Sequence, residues 1–152
     1  MKQQVQRSGR ASRLFLALAL ACAVEAGATN YYNRTSFGYW SSTNSWGGAV
    51  PPSSGDPTAV LVFTNGASIT STNDLGSTFT LNSMVFSNAG NVTLWGASTN
   101  YLVFTNSGGI AQMVQTTSAT NTLSHNIVLG SDLFLSGSGS GDNSKHACRL
   151  SI

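Results

Sequence analysis

Charge is what this sequence has least of. Lysine and arginine number 7 and aspartate and glutamate 5 among 152 residues, so charged side chains make up 8% of the chain. Lys2, Arg7, Arg10 and Arg13 crowd the N-terminus. From Thr29 onward only Arg34, Lys145 and Arg149 face Asp56, Asp74, Asp132 and Asp142, which is 3 − 4, or −1, with no glutamate at all. That part of the chain therefore has no basic patch to neutralise phosphates, which excludes a nucleic-acid partner. It also lacks the Glu, Lys and Arg that normally populate helix surfaces, which argues against helices. Cysteine is nearly absent too. Of Cys22 and Cys148, only the second lies outside the N-terminal segment, so no intramolecular disulfide is expected and the fold must rest on packing.

Long apolar runs are missing as well. The most extended, Leu14 to Val24, has 11 residues. That is too short to span a bilayer, but it suits the apolar region of a signal peptide. The basic residues before it and the small-residue pattern Ala26-Gly27-Ala28 after it complete the signature, and residues 1–28 are read as a signal peptide. The sequence Ala19-Leu20-Ala21-Cys22 partly matches a lipid-attachment box. The residue three before the cysteine is of the wrong type, however, and a good cleavage site follows, so a lipid anchor at Cys22 is not expected. The reading is an exported protein, outside the cell or on its surface, with no transmembrane helix.

What the chain does have is serine, threonine and asparagine, 50 of the 124 residues from Thr29 onward. These residues favour turns, caps and, for threonine, strands. Short apolar β-branched and aromatic clusters interrupt them at nearly regular spacing. Strands are expected at Val60–Thr64, Ser68–Thr70, Phe79–Leu81, Ser83–Phe86, Val92–Trp95, Tyr101–Thr105, Ile110–Thr116, Thr122–Leu123, Asn126–Leu129 and Leu133–Leu135, with turns such as Asn65-Gly66 between them. Three of these strands are near-copies. Leu61-Val62-Phe63-Thr64-Asn65 returns as Met84-Val85-Phe86-Ser87-Asn88, 84 − 61 or 23 residues on. It returns again as Leu102-Val103-Phe104-Thr105-Asn106, 102 − 84 or 18 residues further. Copies of about 20 residues suggest strands stacked by similarity. Stacked in that way, Phe63, Phe86 and Phe104 would form one internal column, with Asn65, Asn88 and Asn106 at a corner. The expected fold is all-β, a right-handed parallel β-helix (solenoid) with an aromatic N-terminal cap, and a β-sandwich is the alternative. The domain reading is a signal peptide at 1–28, an aromatic cap and turn-rich connector at 29–57, β-strand repeats at 58–136, and a Gly/Ser-rich linker with an atypical tail at 137–152.

The arrangement Trp40…Asn44-Ser45-Trp46, Pro51-Pro52-Ser53-Ser54-Gly55-Asp56 and Ala59-Val60-Leu61-Val62-Phe63, followed by Leu81-Asn82-Ser83-Met84-Val85-Phe86 and Asn126-Ile127-Val128-Leu129, resembles bacterial autotransporter-associated β-strand repeat proteins. The resemblance covers residues 39–141. It implies a secreted, surface-associated parallel β-helix with a role in adhesion, matrix or display, and no catalytic residues to carry over. The Gly-rich repeats usual further along are absent, and no β-barrel translocator follows. The chain therefore reads as an N-terminal passenger-like fragment.

Individual sites are few. The four aspartates are dispersed, whereas carbohydrate hydrolysis needs paired carboxylates. His125 and His146 stand apart, and His125 reads as a solvated turn residue. His146 and Cys148 alone do not make a closed metal site. No catalytic residue, cofactor or metal is expected. The one binding candidate is the aromatic group Tyr31, Tyr32, Tyr39, Trp40 and Trp46, which could stack on a surface polysaccharide or an extracellular protein, and a carbohydrate-binding module using this cluster is the alternative function. The same residues could instead cover the open end of a solenoid. Trp95 reads as core.

Overall fold

A computed structural model describes residues 27–107, 109–137 and the backbone of 149–150. Residues 1–26 of the expected signal peptide, Cys22 among them, and most of the Gly/Ser tail with His146 and Cys148 lie outside the described residues. The secondary structure is almost entirely strand: β1 (Asn30–Asn33), β2 (Phe37–Tyr39), β3 (Val60–Phe63), β4 (Ile69–Asn73), β5 (Thr78–Leu81), β6 (Ser83–Phe86), β7 (Val92–Gly96), β8 (Tyr101–Phe104), β9 (Ala111–Gln115), β10 (Asn121–Ser124), β11 (Asn126–Leu129), β12 (Leu133–Gly137) and β13 (Arg149–Leu150). A single 3-10 turn, Thr43–Trp46, interrupts them among the described residues.

Every strand pairing is parallel, and the pairings build three sheets. Sheet A runs β1-β3-β6-β9-β12, sheet B runs β2-β4-β7-β10-β13, and sheet C runs β5-β8-β11. The chain visits A, B and C in turn and then begins again one rung higher. This is a parallel β-solenoid of about three turns, β3-β4-β5, β6-β7-β8 and β9-β10-β11, with partial turns at either end. The β-sandwich alternative would need antiparallel sheets, and none is present in the described residues.

The N-terminal aromatic stretch belongs to the solenoid itself. β1 pairs with β3 and β2 with β4, so residues 30–39 form two sides of the first turn. Its third side is made by the proline-rich connector. Gly55 bridges to Thr80, the Asp56 N–H donates to the Thr80 carbonyl (2.8 Å), and the Thr80 N–H donates to the Ser54 carbonyl (3.0 Å). Gly55 has φ 71°, and a Cβ there would meet the Thr80 oxygen at 2.1 Å, so only glycine fits this crossing.

Alternation along each strand separates inside from outside. Leu61, Met84 and Met113 stand in register on the inner face of sheet A, and Leu94 and Leu123 do the same in sheet B. Phe79 and Leu81 are matched by Leu102 and Phe104 in sheet C. These residues are buried and form one continuous core. The outward positions are mostly threonine, valine and serine, which suit a pleated surface without needing charge. In the last described turn the inward positions Leu129 and Leu135 are exposed, with no full rung above them among the described residues.

The near-copies stack only in part. Phe63 and Phe86 occupy successive rungs with ring centroids 5.5 Å apart and planes at 17°. Phe104 is not the third ring of that column. It lies in sheet C, paired with Leu81, and the rung above Phe86 carries Gln115. The spacing explains this: 83 − 60 and 101 − 78 both give a 23-residue turn, whereas the 18-residue step to the third copy ends on a different side.

Asparagines secure the corners. Asn88 is buried, and its Oδ1 accepts from the backbone N–H of Asn65 (2.8 Å) and of Gly66 (2.7 Å) on the turn below. Its Nδ2 donates to the carbonyls of Ala67 and Gly90. Asn82 similarly donates to the carbonyls of Thr105 (2.9 Å) and Gly109 (2.8 Å), and Asn100 to that of Asn73 (2.9 Å). A corner leaves backbone groups without ladder partners, and these amides satisfy both their donors and their acceptors. The high asparagine content thus has a structural cause. Asn106 takes no part in the Asn65–Asn88 corner.

Candidate functional site

The aromatic group proposed from sequence divides into two. Trp40 and Trp46 are buried, at 0% and 3% exposure. The Trp40 indole N–H donates to Ser71 Oγ (2.9 Å), and that of Trp46 donates to the Trp40 carbonyl (3.0 Å). Their rings meet edge to face at 5.7 Å. Trp40 also contacts Phe79 at 5.0 Å and Trp46 contacts Phe63 at 6.0 Å. They fill the core of the first turns and offer no face to a ligand. Tyr31 packs against the core, and burial, with a smaller contribution from Asp56, raises its pKa. Tyr32 and Tyr39 are exposed, and the Arg34 guanidinium lies 5.5 Å from the Tyr32 ring centre.

Phe37, Trp95, Tyr101 and Phe134 are exposed as well, and the first two lie on the same sheet as Tyr39. Phe37 is 65% exposed and touches Tyr39 edge to face at 5.9 Å. Trp95 is 50% exposed, which corrects its reading as a core residue. It follows Leu94 at the end of β7, and with Val92 and Leu94 pointing inward the alternation turns Trp95 outward. Phe37, Tyr39 and Trp95 share the outer face of sheet B. Its register runs Phe37–Thr70–Thr93–Thr122 in one column and Tyr39–Thr72–Trp95–Ser124 in the next. The outward positions of β2, β4, β7 and β10 therefore carry rings and hydroxyls and no charge, and Arg149 of β13 stands in register with Thr122 at the end of the first column. The nearest carboxylate at the margin of this face, Asp74, is held at the corner by the N–H and hydroxyl of Ser41 (2.9 and 2.6 Å).

His125 also departs from expectation. It is a buried corner residue, 6% exposed, not a solvated one. Its ring stacks on Trp40 at 6.0 Å and 24°, in space left by Gly96, where a Cβ would meet His125 Nε2 at 2.4 Å. Both ring nitrogens are buried without a hydrogen-bond partner, and burial lowers the pKa to about 4. The inward alternation Asn121–Leu123–His125 is the signal that would have placed it.

Two clefts remain. One, about 210 Å³, opens at the C-terminal end beside Phe86, Met113 and Leu135. The other, about 300 Å³, is lined in part by Ser98, Thr122, Ser124 and Asn126, so it adjoins the outer face of sheet B. Small-molecule sites usually enclose about 300–1,000 Å³, so the first cleft falls below that range and the second at its lower bound. Among the described residues no three His, Cys, Asp or Glu side chains converge as metal ligands, and no helix is long and apolar enough to cross a membrane. No protein-family model, curated protein or solved structure matches the chain.

Proposed function

We propose that this chain is an exported, non-catalytic β-solenoid segment with an adhesive, matrix or display role at the cell surface, like the N-terminal part of an autotransporter-associated repeat passenger. The observation that carries this reading is the stacking of turn upon turn in register, with an apolar core edged by buried asparagines and serines and an exterior of mostly uncharged residues. Such an architecture supplies length and a regular surface instead of a pocket where acid and base converge. The N-terminal basic and apolar segment supports export.

Two experiments test the reading. Residues 1–28 fused to a reporter that is active only outside the cytoplasm should give activity, and a reporter retained inside contradicts export. The full chain, screened at high concentration against common polysaccharides and esters, should give no turnover. Reproducible turnover that follows the folded protein through purification contradicts a non-catalytic role.

A further inference from the structure

The geometry points to a binding site for a flat, extended, neutral polysaccharide on the outer face of sheet B, with Tyr39 and Trp95 as its stacking platform. The two residues belong to one register column, separated by the single rung of Thr72. Successive strands in a sheet lie about 4.8 Å apart, so the two rings repeat at roughly 10 Å along the solenoid axis. A polymer lying along that axis would meet them at regular intervals, and Phe37 would extend the platform at the lower end.

The chemistry of the face selects the ligand class. Exposed aromatic rings offer negative π-faces to the C–H face of a sugar. Thr70, Thr93 and Thr122 form a parallel ladder of side chains that can donate and accept hydrogen bonds. No charged side chain from β2, β4, β7 or β10 enters the face, and Arg149 of β13 stands in register with Thr122 at the edge of the sheet, outside the Tyr39–Trp95 column, so the ring platform itself offers an anionic polymer no counter-charge. The cleft beside Ser98, Thr122, Ser124 and Asn126 continues the same uncharged polar surface past Trp95. A protein partner would be expected to seek a desolvated, well-packed centre. Here exposed rings are bordered by threonine hydroxyls, as suits a hydrated chain.

This assignment rests on the surface-segment reading only for access to such a polymer, and the two fail separately. A reporter kept in the cytoplasm counts against export, whereas binding is measured on purified protein. The full chain and the variants Trp95→Ala, Tyr39→Ala and Ile110→Ala would be tested for retention on microcrystalline cellulose and on an insoluble β-1,3-glucan, with soluble alginate as an anionic comparison. Ile110 is exposed but lies off the sheet B face, so its variant is the control. Retention on a neutral polymer is expected. Trp95→Ala should weaken it about tenfold, the effect of losing one stacking ring. Tyr39→Ala should weaken it comparably and Ile110→Ala not at all. All three variants should keep the parent melting curve. Because Trp40 and Trp46 are buried, binding should shift tryptophan emission in the parent and not in Trp95→Ala. The proposal is overturned by absence of retention on both neutral polymers, by preference for alginate, by unchanged retention of Trp95→Ala, or by a Trp95-dependent dimer that accounts for the exposed rings instead.

Discussion

Phe63 should be the costliest single ring to remove. It is fully buried, stacked on Phe86 at 5.5 Å on one side and met edge-on by Trp46 at 6.0 Å on the other. Phe63→Ala loses the transfer free energy of the ring and leaves a cavity between two walls that cannot readily close, because each belongs to a hydrogen-bonded rung. Core Phe→Ala changes cost about 3–5 kcal/mol. Each aromatic pair adds about 0.5–1.5 kcal/mol, which places Phe63→Ala near the top of the range, at about 5 kcal/mol. Phe86 is also buried but lines the cleft at the C-terminal end, so the space left by its ring would open into that cleft. Phe86→Ala should cost about 3–4 kcal/mol. Phe104, buried in sheet C with no aromatic contact at stacking distance among those described, should fall at about 3–4 kcal/mol as well. Urea unfolding followed by tryptophan fluorescence measures all three, with buried Trp46 a local reporter of the Phe63 cavity. An order in which Phe86→Ala or Phe104→Ala matches or exceeds Phe63→Ala would refute the role given to the Trp46–Phe63–Phe86 column.

Other perturbations test separate parts of the fold. The folded-state pKa of His125, about 4, lies below the ordinary 6.5, so its contribution to stability is complete above pH 6.5 and is lost as pH falls toward 4. The loss should amount to about 3 kcal/mol, and His125→Phe, which keeps a ring against Trp40, should abolish this step in melting curves recorded from pH 7.5 to 4. Gly55→Ala forces a side chain into the Thr80 backbone from a left-handed conformation and should cost about 2–4 kcal/mol. Gly47→Ala, also at positive φ but with open space around it, should cost only about 1–2 kcal/mol by the same thermal melts. Asn88→Ala strips the Asn65–Gly66 corner of its acceptor and should destabilise by about 2 kcal/mol, with faster hydrogen exchange at those two amides.

Much of this architecture was legible in the sequence because each strand is a short apolar or β-branched cluster bounded by turn residues. Asn126–Leu129 and Ser83–Phe86 were placed to the residue, and Leu61–Phe63 over Met84–Phe86 predicted a pairing the fold contains. The strands of the first turn were not legible. Asn30–Asn33 and Phe37–Tyr39 mix polar residues and glycine with aromatics, and only pairing to β3 and β4 makes them strands. Phe104 was misplaced because local similarity was taken for register, while turn length decides which side a strand occupies. The binding face was half legible. Tyr39 was named from composition, but Trp95 needed its alternation with Leu94 to be followed outward. Trp40 and Trp46 look like ligand platforms until the depth of the first turn is known.

Register is where the account is most exposed, and cross-linking reads it directly. Val62 and Val85 are outward neighbours on successive rungs of sheet A, whereas Val103 belongs to sheet C. In a background with Cys22→Ser and Cys148→Ser, mild oxidation of Val62→Cys/Val85→Cys should give an intramolecular disulfide in high yield, because facing side chains on paired strands are within bonding reach. Val62→Cys/Val103→Cys should give none. Cross-linking of the second pair, or its failure in the first, would contradict the parallel solenoid and the order of its sheets.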